Sequence, residues 1–349
     1  MVYVSTQTLS AAPRSAVMQA QSALTIAQQE LASGKYADVG LSLGGQSGQL
    51  ISLSQQSSRL ESYTVSNSAA NTRLTSTTSA IDTLTTAANG IISALTTWNA
   101  SSPSQNSLSL TAQSNLGALT SILNTAVAGQ YIFGGINTDQ QPLTTYVSTP
   151  ASAAKTAVDN SFASQFGFSQ TSAAAGSVSG TDMQSYLDNQ FASLFAASSF
   201  SPTWSSASDQ TMSTQISDNQ TVSTSVSANQ TAFRQLAQAY TMVSEFSGQG
   251  LSAAAQQAVV TTATNLVSRA LSGMTDINAA IGITQSTISD ANTRLTTQKG
   301  LLDTQVETLQ GVDSYALTSQ LSTLQTQIQS SYELTAALQK LSLVNYITP

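Results

Sequence analysis

The chain has 349 residues, 17 acidic against 10 basic side chains for a net charge of −7, and neither cysteine nor histidine. Those two zeros exclude disulfides, thiol nucleophiles and Ser-His-Asp or Cys-His catalysis, and they deprive zinc, haem and copper of their usual ligands. Only 8% of residues are charged, against roughly 25% in an ordinary soluble protein, while Ser, Thr and Gln make up 140 residues; so few cations leave no basic footprint for nucleic acid.

The first charge is Arg14, and no basic stretch followed by an apolar run opens the chain. No run of about 18 apolar residues follows. The expectation is no membrane insertion and, if the protein leaves the cell, a route that cleaves nothing from its N-terminus. Absence of cysteine suits work outside the cell without disulfides.

Proline sets the layout. Residues 14–102 and 203–348 contain none, so both stretches are free to form long helices. In the first, Val17, Leu24 and Leu31 recur every seven residues with Ala20 and Ala27 between them, a coiled-coil seam that stops at Ser33-Gly34. A second register runs Leu53, Leu60, Asn67, Leu74, Ile81, Ala88, Leu95 and predicts a long helix packed on other helices. A third helix follows Pro103, with Leu116, Leu119, Leu123 and Ala126 on one face, and leads to Gly129. In the middle segment six of the nine phenylalanines fall between Phe162 and Phe200, with Trp204 just beyond, which reads as the core of a small separate domain. Residues 182–197 read as helix; Tyr146-Val147 and Ser177-Val178-Ser179 read as short strands. Val222, Val226, Phe233, Leu236, Tyr240 and Val243 then form one helical face, and Ile281, Ile288, Leu295, Leu302 and Leu309 a further heptad, interrupted by glycines at 273, 282, 300 and 311. The last helix carries Leu317, Leu321, Leu324, Ile328, Leu334, Leu338, Leu341 and Val344.

The expected fold is mainly α: an elongated antiparallel helical bundle or coiled coil formed by both chain ends, with a small inserted α+β domain at the tip. Its parts are a terminal helix over 1–45 paired with another over 310–349, the two halves of a helical rod over 46–135 and 208–309, and an outer domain over 136–207.

Chemical motifs are sparse. Ser152-Ala-Ala-Lys155 matches the S-x-x-K pattern of serine acyl-enzymes but lies in a Pro- and Ala-rich linker with no Lys-Thr-Gly after it. Gly44-Gly45-Gln46-Ser47-Gly48 lacks the spacing, lysine and preceding strand of a phosphate loop and reads as a bend between helices. Asn99-Ala-Ser101 and Asn219-Gln-Thr221 fit a glycosylation acceptor, which matters only in a eukaryotic secretory context. The acids are scattered; Glu30 and Asp38 make no catalytic pair. No catalytic, cofactor or metal site is expected. The candidate functional residues are the terminal seam itself: Val17, Leu24, Leu31, Leu317, Leu321, Leu324, Ile328, Leu338, Leu341 and Val344. Residues 1–45 hold four charges and 314–349 only Glu333 and Lys340. Two such helices bury too little apolar surface to order alone, so they are expected to take lasting shape in a polymer.

Several segments carry a family resemblance. Ala27-Gln-Gln-Glu-Leu-Ala-Ser-Gly-Lys35, then Gly129-Gln-Tyr131-Ile-Phe133-Gly134-Gly135 with Thr138-Asp139 and Pro142, and finally Leu341-Ser-Leu-Val-Asn-Tyr-Ile347 resemble the bacterial flagellin superfamily. Within it they are most similar to the hook–filament junction family, hook-associated protein 3. Flagellins proper usually lack the segment with Tyr131, Phe133, Gly134, Gly135, Asp139 and Pro142. One departure is plain: where the superfamily often has Asp-Asp-Pro or Asp-Asp-Ala after the Ser-Gly turn, this chain reads Ala37-Asp38-Val39.

The resemblance implies a structural protein of the flagellum, exported unfolded with an uncleaved signal and assembled outside the cell at the hook–filament junction. Its implied partners are copies of itself in an axial ring, the first hook-associated protein, flagellin, the flagellar export apparatus and a chaperone, with no cofactor and no enzymatic activity. Two alternatives stand beside it: a flagellin filament subunit, and a surface carbohydrate-binding or adhesive protein whose Trp204 and Tyr186 stack on sugars.

Overall fold

The computed structural model describes residues 6–98, 105–248 and 250–347, with side chains throughout except at 6–13, 105, 338–339 and 341–347. The side chains of Leu338, Leu341 and Val344, the acceptor at Asn99 and the helix start at Pro103 therefore lie outside the described residues. In chain order the elements are α1 (Thr6–Ser33), α2 (Val39–Leu43), α3 (Ser47–Thr97), α4 (Gln105–Leu123), β1 (Ala126–Val127), β2 (Gln130–Tyr131), α5 (Ala153–Phe166), α6 (Gly180–Tyr186), α7 (Ala197–Thr203), β3 (Ser213–Ser217), β4 (Gln220–Ser223), α8 (Thr231–Phe246), α9 (Ala253–Gln310) and α10 (Ser314–Ile347). The fold is mainly α, with two antiparallel two-stranded sheets, β1–β2 and β3–β4.

The chain divides into two compact units, residues 1–61 with 296–349 and residues 62–295. The first holds both ends and extends past the expected terminal segments, to Glu61 and back to Thr296. In it α1 and α10 lie antiparallel: Lys35 bridges Gly311, and the Gln21 amide donates to the Tyr332 hydroxyl at 2.9 Å. The turn after α1 is fixed by the Tyr36 N–H on Gln310 O (3.0 Å), the Val312 N–H on Gly34 O (3.1 Å) and the Ala37 N–H on a Glu30 carboxylate oxygen (3.0 Å). Asp38 caps α2 by accepting from the Leu41 N–H at 2.9 Å. Gly44–Gln46 form one 3-10 turn leading straight into α3. With α2 ahead of it and no strand, that stretch has none of the architecture of a phosphate site.

In the second unit α3 buries Ala70, Leu74, Thr77, Ile81, Leu84, Ala88, Ile91 and Leu95, a spacing that alternates four and three. This is a two-position heptad seam. The heptad read from the sequence is one of the two positions; the other begins with Ala70 and Thr77 and continues with Leu84 and Ile91. Opposite lie Met274, Ile281, Ile288, Ala291 and Leu295 of α9. The antiparallel register is marked by polar pairs: Asn67 amide to Asn292 Oδ1 (2.7 Å), Gln285 to Thr75 (3.1 Å) and Asn278 to Asp82 (3.0 Å). Asn67 is wholly buried, and its amide also reaches Ile216 O at 3.1 Å. α9 runs unbroken through Gly273, Gly282 and Gly300 and stops just before Gly311.

Two local expectations are corrected. Val222 and Val226 do not belong to the helix of Phe233: Val222 sits in β4, Val226 follows it, and α8 starts only at Thr231. The β-branched and Ser/Thr-rich run around the Asp218-Asn219 turn favours a hairpin over a helix. Tyr146-Val147 and Ser177-Val178-Ser179 form no strand; Ser177 ends a 3-10 turn and Ser179 caps α6. The predicted helix over 182–197 is α6 continued by a π turn, Leu187–Phe191.

α8 is buried around most of its circumference between Ala232 and Phe246, with Gln238 and Thr241 enclosed beside the apolar side chains and Arg234 and Glu245 only partly covered. Phe246 at its end meets Phe162, Tyr186 and Phe191 at ring distances of 5.4, 5.9 and 5.5 Å. The aromatic residues between 136 and 207 thus share one core with α4, α8 and α9 instead of enclosing one of their own.

Candidate functional site

Within the unit that carries the ends, Val17, Leu24, Leu321, Leu324 and Ile328 are half-buried between α1 and α10, Leu317 is buried, and Leu31 is 38% exposed at the edge. Among the described residues of α1 the deeply buried one is Ala27, not a leucine, and its small side chain suits close approach of the two helices. Among the described residues of this unit only Ala27, Leu50, Leu60 and Leu317 are buried apolar side chains. Met18, Ile26, Leu31, Leu41, Ile51, Leu301, Tyr315, Tyr332 and Leu334 are exposed, Leu41 by 84% and Tyr315 by 87%. An open groove of about 570 Å³ runs between Ala16 and Ala20 of α1 and the Ser/Thr face of α10 from Ser322 to Ser331.

The segment around Tyr131 to Pro142 is a crossing point in the other unit. The β1–β2 hairpin turns through Ala128 and Gly129, both at positive φ (51° and 79°). Phe133 then buries edge-to-face on Phe233 at 5.6 Å, and its carbonyl accepts from the Ala228 N–H at 2.7 Å. Gly134 pairs with Ser227, and its carbonyl takes the N–H groups of Ser208 (3.0 Å) and Asn137 (3.1 Å). At Gly135 φ is +64°, and a Cβ there would collide with the carbonyl oxygens of Ser208 and Gln210. The Ile136 N–H donates to Gln210 O at 3.0 Å, and the Ser206 N–H to Pro142 O, also at 3.0 Å. Tyr131 is half-buried, Pro142 buried and Asp139 exposed. The motif therefore staples together the places where the chain leaves the helical scaffold, near 136, and returns to it, near 207.

The S-x-x-K match at Ser152 has a structural use. The Ser152 hydroxyl caps α5, accepting from the Lys155 N–H at 3.1 Å and donating to Tyr146 O at 2.6 Å. The Lys155 ammonium pairs with Asp159 and, at 3.2 Å, with Glu245. Burial acts to lower its pKa, but the Asp159 hydrogen bond and the Glu245 charge outweigh burial and raise it. A lysine held cationic is no base for an acyl-enzyme. Trp204 and Tyr186 are likewise unavailable to sugars. Trp204 is stacked between Tyr146 (5.1 Å) and Phe200 (5.8 Å), and Tyr186 is wholly buried, its hydroxyl pushed up to about 12 chiefly by desolvation.

Among the described residues no cluster of three acids could hold a metal, and no helix is long and apolar enough to cross a membrane. Sequence reasoning missed the pairing of buried Asn67 with half-buried Asn292 and the Lys155–Glu245 contact. The lone polar position in an apolar heptad announced the first; nothing local announced the second, which joins residues 90 apart.

Residues 4–138 match the model of the bacterial flagellin N-terminal helical region, and residues 264–347 that of the bacterial flagellin C-terminal helical region. No curated protein matches the chain in sequence. A solved structure described as "Structure of putative flagellar hook-associated protein from Vibrio parahaemolyticus" has a similar fold. The TM-score is 0.52 at 12% identity, over 76% of this chain and 98% of that one. With both ends matched in order and joined as an antiparallel helix pair, the chain belongs to the bacterial flagellin superfamily.

Proposed function

We propose that this flagellar structural protein joins the hook to the filament, built into an axial ring of its own copies by the unit that carries both chain ends. The first hook-associated protein lies on one side of that ring and flagellin on the other. The observation that carries this reading is the imbalance in the terminal unit: four buried apolar side chains against nine large exposed ones among the described residues. Burying a large apolar side chain contributes about 1.5–3 kcal/mol. Covering even half of these nine is worth on the order of 10 kcal/mol, comparable to the cost of association. Neutral Ser, Thr and Gln between them add few charges to desolvate. The stapled Gly134-Gly135 segment, which resembles the junction family and not flagellins proper, favours the junction over the filament. A cysteine-free chain suits passage through the export apparatus with a chaperone and work outside the cell.

Gold-labelled antibody on intact flagella tests the placement: label confined to the hook end supports it, and label along the filament makes the chain a flagellin subunit. Seeding tests the same point in solution. Purified protein added to flagellin seeds should stop as short caps, whereas growth into long filaments would overturn the junction reading.

A further inference from the structure

In the unit formed by residues 62–295, charged and polar side chains gather in a dense cluster beside the aromatic core. Glu245, in the last turn of α8, has a side chain only 12% exposed. Its carboxylate receives the Tyr146 hydroxyl (2.9 Å), the Lys155 ammonium (3.2 Å) and the Gln170 amide (3.3 Å). The Gln170 amide also reaches Asp159 Oδ1 at 2.6 Å, and Lys155 holds Asp159 as well. Five side chains from the 143–150 loop, α5, the 168–172 loop and α8 thus meet around one cation and two carboxylates.

The same elements supply Phe162 and Phe166 of α5, Phe168 of the 168–172 loop and Phe246 of α8, whose rings meet Phe162 or one another at 4.6 to 6.3 Å. The other titratable group facing the cluster is the Tyr186 hydroxyl of α6, which feels both carboxylates. α4, packed on α8, contributes no charged residue. A carboxylate in the last turn of a helix also opposes the helix dipole, so Glu245 depends on its three donors for stabilisation.

We propose that the Tyr146–Lys155–Asp159–Gln170–Glu245 cluster is a charge-operated latch that holds α5 and the 168–172 loop over the aromatic core. Its release opens that side of the unit while the α3–α9 pair stays folded. Loss of charge from the cluster removes the ion pairs and leaves Lys155 without a counter-charge in a partly desolvated place, so the latch opens toward low pH. Neutral pH keeps it shut.

The chain carries its own reporter. Trp204 stacks on Tyr146 at 5.1 Å with planes 7° apart, so opening the latch unstacks it. In the full-length Trp98→Phe variant Trp204 is the only tryptophan. Its emission is followed from pH 7 to about pH 4, with far-UV circular dichroism recorded on the same samples. The expected result is a red shift and increased acrylamide quenching at a pH where helicity is unchanged. Glu245→Gln in the same background keeps the shape, lacks the charge, and should be red-shifted already at pH 7 with a flattened pH profile. Lys155→Met should behave likewise at pH 7. The proposal is overturned if Trp204 responds only together with loss of helicity, or if Glu245→Gln keeps the parent's pH profile.

Discussion

Gly135 offers a controlled test of how the chain crosses itself. Gly135 and Gly167 both have left-handed backbones, at φ +64° and +81°. A Cβ at Gly167 meets nothing within 4 Å, whereas one at Gly135 runs into the carbonyls of Ser208 and Gln210. Replacing either glycine by alanine incurs the left-handed penalty of about 1–2 kcal/mol. Gly135→Ala must in addition push two backbone segments apart, about 1–3 kcal/mol, and weaken the Ile136–Gln210 hydrogen bond, about 1 kcal/mol more. The difference between the variants is therefore about 2–4 kcal/mol. At roughly 2–4 °C per kcal/mol for a body of 150–250 residues, Gly135→Ala should melt about 5–15 °C below Gly167→Ala. Thermal unfolding followed by tryptophan fluorescence, with Trp204 inside the affected core, gives the measurement. Equal melting temperatures would show that the crossing is loose and that Gly135 serves only its turn.

Three other outcomes follow from the packing. Tyr315→Ser and Leu41→Ser alter side chains that touch little in the monomer, so its stability should shift by less than about 0.5 kcal/mol, while incorporation into flagella falls; unchanged incorporation would argue against the exposed set as the assembly surface. Tyr146, Tyr186 and Tyr240 all have hydroxyl pKa values raised mainly by burial, Tyr186 to about 12. Their stabilising contribution is complete below pH 10 and is lost as pH climbs toward 12, by up to about 1.4 kcal/mol per pH unit for each tyrosine; urea midpoints flat from pH 9.5 to 11.5 would contradict this. Asn67→Leu strands the acceptors of Asn292 and Ile216, a cost of about 1–3 kcal/mol partly offset by leucine burial. Adding Asn292→Leu should recover part of the loss, and a double-mutant cycle with no coupling would break the link between the two amides.

The helical architecture was legible because its determinants are periodic. Leu74, Ile81, Ala88 and Leu95 recur on the heptad and are all buried. The second seam position, Ala70, Thr77, Leu84 and Ile91, is apolar and large only in its last two members, so it is weaker in hydropathy than the first. The hairpin over 213–223 was absorbed into α8 because Val222 and Val226 happen to continue a spacing of three to four. Phe162, Phe191 and Phe200 were recognised as core residues, but not as sharing their core with Phe246, since that contact joins residues more than fifty positions apart. The terminal seam was the part most visible in sequence, yet Leu31 lies at an edge and Ala27 at the centre: closeness of approach between two helices follows from small side chains as much as large ones.

The shared aromatic core also decides how relatives of this chain are free to differ. A stretch that closed on itself could be traded for another of any length without disturbing its neighbours. Here Phe162, Tyr186 and Phe191 roof over Phe246, so excising 136–207 would uncover Phe246 and the end of α8 and leave a sticky remnant. Extra sequence is better accommodated at surface turns such as Asp218-Asn219, where lengthening costs only loop entropy.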